Sequence, residues 1–177
     1  MKKIILTLLA LGCAAGCGRR EEHLAITASP SSMPQVTSSA QPQQVSSLSE
    51  LLQQLKDHED YQLPPSMEVD QTVLNDLYGL SSDQVSDYAI LTPVMNVHAT
   101  EIILVQAREG KLEEVKQALE KRMDTLEQTW SAYLPEQYDL VVNRVELQEG
   151  NTVAIVIAEQ AQAIAQQIQT SLQQMEG

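Results

Sequence analysis

The sequence predicts an α+β domain: a four-stranded antiparallel sheet built as strand–strand–helix twice, with two long helices packed on it and two short helices in front. Three observations carry this expectation. Apolar residues recur three and four apart over two long stretches, 111–133 and 159–175, the signature of helices with one buried stripe. Four short runs rich in Val, Ile and Leu are bounded by Pro, Gly and charged residues, as strands are. The connections between paired runs are too short for a parallel crossover, so neighbouring strands are antiparallel.

Taken in order, Leu48, Leu51, Leu52 and Leu55 lie at helical spacing and end before Pro64-Pro65. Asp70 is suited to cap a second short helix carrying Val73, Leu74 and Leu77, and Gly79 to stop it. Ser86–Thr92 and Glu101–Ala107 read as strands. In the helix 111–133 the stripe is Leu112, Val115, Leu119, Met123, Leu126, Trp130 and Tyr133. Pro135 reads as a break. Asp139–Leu147 and Thr152–Ala158 read as strands around the turn Glu149-Gly150-Asn151. The last helix presents Ala161, Ile164, Ile168, Leu172 and Met175.

The strands are apolar on both faces, Ile103 and Val105 against Ile102 and Leu104, so both faces need cover. Equivalent strand–strand–helix units place both long helices on one face. The short helices then cover the other in part and leave an apolar strip for docking or dimerisation; complete cover by the chain's own helices is the alternative.

The first 46 residues read differently. Met1-Lys2-Lys3 precedes an apolar run, Ile4 to Ala15, that spans about 18 Å as a helix, too short for a hydrocarbon core of about 30 Å. It has the size of a secretory h-region. Ala14-Ala15-Gly16-Cys17 has the form of a lipobox, so residues 1–16 are expected to be a lipoprotein signal peptide and Cys17 the lipidated first residue; Cys13 follows the bulky Leu11 and is the poorer acceptor. Two palmitate-like chains, at about 0.8 kcal/mol per buried methylene, make a stable anchor. Residues 17–46, rich in Ser, Pro and Gln, read as a disordered tether, and residues 47–177 as one domain. The expected location is the extracytoplasmic face of the cell membrane, with attachment through the lipid.

Charge and composition exclude several functions. With 24 acidic and 11 basic residues the net charge is −13, which disfavours nucleic acid. Both cysteines, Cys13 and Cys17, lie in the first 17 residues, so the domain has no thiol nucleophile and no Cys zinc site. No nucleophile elbow, phosphate loop or cofactor motif is present. No metal site is assigned: Asp57-His58-Glu59-Asp60 are adjacent on a helix end and point apart. His98 and Glu101 are the one grouping able to set a base beside a carboxylate; His23 falls in the tether. Trp130 and Tyr133 read as core packing in preference to a stacking platform. Arg122 sits beside the apolar stripe, where a charge requires a partner; Glu101 or Asp87 is the expected one, and a ligand carboxylate or phosphate is the alternative.

The residues Leu77-Tyr78-Gly79-Leu80, Asp87-Tyr88, Glu101-Ile102, Arg122, Tyr133-Leu134-Pro135-Glu136-Gln137 and Gly150-Asn151 resemble a family of lipoproteins of monoderm bacteria, domain of unknown function 4358. The resemblance covers Val69 to Leu172. It implies a cell-surface lipoprotein of Gram-positive type and brings no activity, so no catalytic residue is assigned. The functional expectation is a non-catalytic module that binds a protein or cell-wall component; the alternatives are a small carboxylate- and His-dependent enzyme or a small-ligand carrier.

Overall fold

The computed structural model describes residues 45–176. The elements run α1 (Leu48–Lys56), β1 (Ser66–Glu68), α2 (Gln71–Tyr78), β2 (Val85–Pro93), β3 (Glu101–Ala107), α3 (Leu112–Ser131), α4 (Pro135–Val142), β4 (Val145–Glu149), β5 (Thr152–Ile157) and α5 (Ala161–Glu176). The strands form one antiparallel sheet in the order β1-β2-β3-β5-β4. The leader, Cys17 and the expected tether lie outside the described residues, apart from its last two positions. Among the described residues no helix is long and apolar enough to cross a membrane.

Local signals explain the well-read elements. The Ser47 hydroxyl accepts a hydrogen bond from the Glu50 amide, and the Glu50 carboxylate accepts one from the Ser46 amide, a variant of the capping box. The Asp70 carboxylate accepts from the Val73 amide at the start of α2. At its end Gly79 takes φ +66°, and the amides of Gly79 and Leu80 donate to the carbonyls of Asn75 and Leu74. That paired closure is a Schellman motif, and its left-handed position is why a glycine stands there.

Two elements depart from expectation. The sheet has five strands: β1 adds to the edge, with Ser66 opposite Pro93 and Glu68 opposite Leu91. Three residues after a Pro-Pro pair carry too little periodicity to be read as a strand. Between α3 and β4, the expected strand Asp139–Leu147 is replaced by helix α4 followed by the shorter β4. Pro135 occupies the first turn of α4, where its missing N–H costs nothing. The β-branched pair Val141-Val142 suggested a strand, yet only Val141 is buried, against the core that α3 covers.

The largest correction concerns the layers. The two long helices lie on opposite faces. Ile103, Val105, Val153, Ile155 and Ile157 pack against α2, α3 and α4. Ile102, Leu104, Ala154 and Val156 pack against α1 and α5, through Leu51, Leu52, Leu55, Ile164 and Ile168. All four of those sheet residues are fully buried by the chain's own helices, so the expected apolar strip does not exist. The reason is area: α2, α3 and α4 already fill one face, and α1, of nine residues, is too small to cover the other alone. Within α3 the stripe from Val115 to Trp130 is buried as expected, whereas Tyr133 is 55% exposed.

Candidate functional site

Alternation along β3 sends Glu101 to the same face as Ile103 and Val105, the face covered by α2 and α3. A carboxylate there must be paired. Its side chain is 2% exposed and meets Arg122 of α3, whose own side chain is 10% exposed. Arg122 Nη2 donates to Glu101 Oε1, and the Tyr78 hydroxyl, from the last turn of α2, donates to Glu101 Oε2 at 3.2 Å. The Thr92 side chain lies close to the same carboxylate and favours its charged form. The Arg122 guanidinium carbon lies 5.2 Å from the centroid of the Tyr78 ring, within cation–π range.

Four elements therefore meet at one buried polar cluster: α2 (Tyr78), β2 (Thr92), β3 (Glu101) and α3 (Arg122). Burial pushes the Glu101 carboxyl above the usual carboxylate range, against the opposing pull of Arg122, Tyr78 and Thr92. Burial, reinforced by the negative charge of Glu101, pushes the Tyr78 hydroxyl far up as well, so it stays protonated and serves as a donor. The expected ion pair of Arg122 is thus found with Glu101, while Asp87 turns its carboxylate to the amide of Tyr88.

The cluster leaves part of the guanidinium unclaimed. Arg122 Nε is buried with no hydrogen-bond partner, which costs about 1–3 kcal/mol if nothing else meets it. Nη1 likewise makes no hydrogen bond to a described residue. Arg122 and Tyr78 line a cavity of about 340 Å³ between α2 and α3, completed by Leu77, Gln84, Gln117 and Lys121 among others. A second cavity, of about 440 Å³, lies between α3 and the β4–β5 hairpin. Its arginine, Arg144, is already satisfied by Glu127 and Glu146, each at 2.6 Å. The smaller cavity is therefore the better candidate, because only there is a buried cation left with free donors.

The other expected groupings do not assemble. Glu101 is engaged by Arg122 and Tyr78 and makes no hydrogen bond to His98, which lines a separate cavity with Thr100 and Gln137. His58 stacks on Tyr61 with ring centroids 4.1 Å apart, and its Nδ1 is 4.0 Å from Asp60. Among the described residues no three His, Cys, Asp or Glu side chains converge as metal ligands. Trp130 is buried in the core, and Tyr133 tilts against it from outside at 5.9 Å. Sequence reading missed the role of Tyr78: it stands at helical spacing behind Leu74 and so resembles ordinary core. The one available signal was that Tyr, unlike Leu, brings a hydroxyl that must be satisfied when buried.

These features define an α+β domain whose antiparallel sheet is enclosed by helices on both faces and carries a buried Tyr–Glu–Arg cluster beneath a cavity. The chain belongs to the family described as Domain of unknown function (DUF4358), whose model matches residues 59–158. The match begins before the expected Val69 and ends before α5. Three residues on which the resemblance rests, Tyr78, Glu101 and Arg122, are the three that the fold brings together. Neither the curated proteins nor the solved structures contain a match to the chain.

Proposed function

We propose that the protein is a non-catalytic binding module displayed on the outer face of the cell membrane, held there by a lipid on Cys17 and spaced from it by residues 17–46. The observation that supports binding is the buried, partly unclaimed Arg122 guanidinium in the wall of the α2–α3 cavity. Glu101 and Tyr78 immobilise that cation, and a pre-positioned donor loses little entropy when a ligand arrives. The cluster is suited to holding: an arginine does not give up its proton, the Tyr78 hydroxyl is pushed far up, and the Glu101 carboxyl is 2% exposed and turned to Arg122. A cell-wall component or an extracellular small molecule is the class of partner that such a location presents.

The anchor and the binding reading are tested separately. Cys17→Ser is expected to leave an unprocessed precursor or release the protein from membranes, whereas Cys13→Ser stays anchored; fractionation after feeding labelled fatty acid decides, and the reverse pattern removes Cys17 as the site. For binding, amide exchange in the purified full-length chain is measured with and without a small-molecule fraction of spent growth medium. Slower exchange confined to residues 77–84 and 117–125 is expected. Identical exchange in the two samples would count against this cavity as a binding site.

A further inference from the structure

The α2–α3 cavity, read above as a binding site, has a composition that specifies the charge of its occupant. We propose that it takes a small organic monocarboxylate, with the carboxylate held by Arg122 and Lys121; this rests on the binding reading and deepens it. Arg122 is fixed from below by Glu101 and from the side by the Tyr78 ring. Lys121, its chain neighbour on α3, is exposed, lines the same cavity and forms no salt bridge with a described residue. Lys111, by contrast, is committed to Glu114 at 2.7 Å.

The local sum of charges selects a single negative charge. Glu101 cancels one of the two cations, and Glu114 is neutralised by Lys111, so one positive charge remains for a ligand. A doubly charged phosphate would be left half compensated, inside a protein whose net charge of −13 already opposes anions. With Nη2 turned to Glu101 and Nε buried, Nη1 is the guanidinium nitrogen left to donate to a carboxylate, and Lys121 supplies the second cationic donor. Beyond the cations the wall offers Gln84, Gln117 and Thr125 for hydrogen bonds and Leu77 for apolar contact. The volume lies at the small end of ligand pockets, which span about 300–1,000 Å³. The occupant is therefore a small acid with further polar groups.

The test titrates the full-length chain with sodium acetate, sodium lactate or inorganic phosphate at constant ionic strength, following the arginine Nε–H and backbone amide resonances. Acetate and lactate are expected to move the Arg122 Nε–H signal and the amides of residues 77–79 and 121–122 saturably, and both more tightly than phosphate. Lys121→Glu, an exposed change that leaves the fold intact, is expected to weaken lactate and acetate about tenfold, the ratio equivalent to about 1.4 kcal/mol. Tighter binding of phosphate, no saturable shift with either carboxylate, or undiminished binding by Lys121→Glu would each overturn the proposal. If the carboxylates are inert while the growth-medium fraction still protects residues 77–84 and 117–125, the cavity binds something else and the binding reading stands. If both are without effect, both readings fall.

Discussion

Arg122→Ala is expected to destabilise the full-length chain by about 3–5 kcal/mol near neutral pH, the cost of leaving a buried charge without its partner. The charge left behind is Glu101, 2% exposed and hydrogen-bonded by Tyr78 alone once the guanidinium is gone. The loss depends on pH, and the sign follows from burial. In the native chain the Glu101 carboxyl already lies above its unfolded value of 4.5. A raised native value means that its contribution to stability is fully present below the unfolded value and is lost as pH rises through the native one. Removing Arg122 takes away the largest opposing pull and raises the native value further, so the cost of ionising Glu101 grows with pH. Urea unfolding of the parent and variant at pH 5 and pH 7.5 measures this: the gap between them should be larger at pH 7.5. An equal gap at both pH values would show that Glu101 is not the buried charge being stranded. The double change Glu101→Leu with Arg122→Met should recover much of the loss, since two apolar side chains of similar size carry no desolvation penalty.

Ile168→Ala is expected to cost about 2–5 kcal/mol, as a large-to-small change in a packed core. Its location carries the further consequence. Ile168 lies fully buried in the layer formed by α1, α5 and the face of Ile102, Leu104, Ala154 and Val156. The single tryptophan, Trp130, belongs to the opposite layer. In the folded variant, amide shifts should therefore change around Leu51, Leu52 and Leu104 while the Trp130 emission maximum stays where it is. If both long helices shared one face, the tryptophan would report the cavity. A shifted Trp130 emission in the folded variant, or a stability loss below about 0.5 kcal/mol, the range of surface substitutions, would contradict the two-layer packing.

Most elements were legible because their signals are local. Asp70 and Gly79 bracket α2 through bonds to residues within one turn, and Glu101–Ala107 appears as a strand with the bounds it has in the fold. The misread segment, Pro135 to Val142, failed for a local reason too: a proline that breaks a helix interior also starts a helix, and two adjacent valines favour the strand reading. The edge strand β1 is too short to show any period, and its pairing with β2 is a tertiary fact.

The site divides along the same line. Arg122 beside an apolar stripe announces the need for a partner, and Glu101 is one of the two carboxylates expected to meet it. Tyr78 gives a weaker sign, since at core spacing its ring is satisfied by packing and only its hydroxyl calls for a polar partner. His98 and Glu101, three positions apart in sequence, are the one grouping able to set a base beside a carboxylate, but Glu101 is the first residue of β3 and turns inward to α3, while His98 stays in the preceding loop.

By itself, then, the sequence determined the helices with amphipathic stripes, the strands with two apolar faces, the caps and turns, and the requirement that Arg122 be paired. These follow from periodicity and from side chains that satisfy neighbouring backbone groups, both short-range. Only the tertiary structure decided which face each helix covers, that α4 exists to pack on α3, and that Tyr78, Glu101 and Arg122 meet under one cavity. An apolar stripe states that a helix must be buried; it carries no information about which of two equally apolar sheet faces will bury it. That choice is made by the area left uncovered once α2, α3 and α4 have packed together on one face.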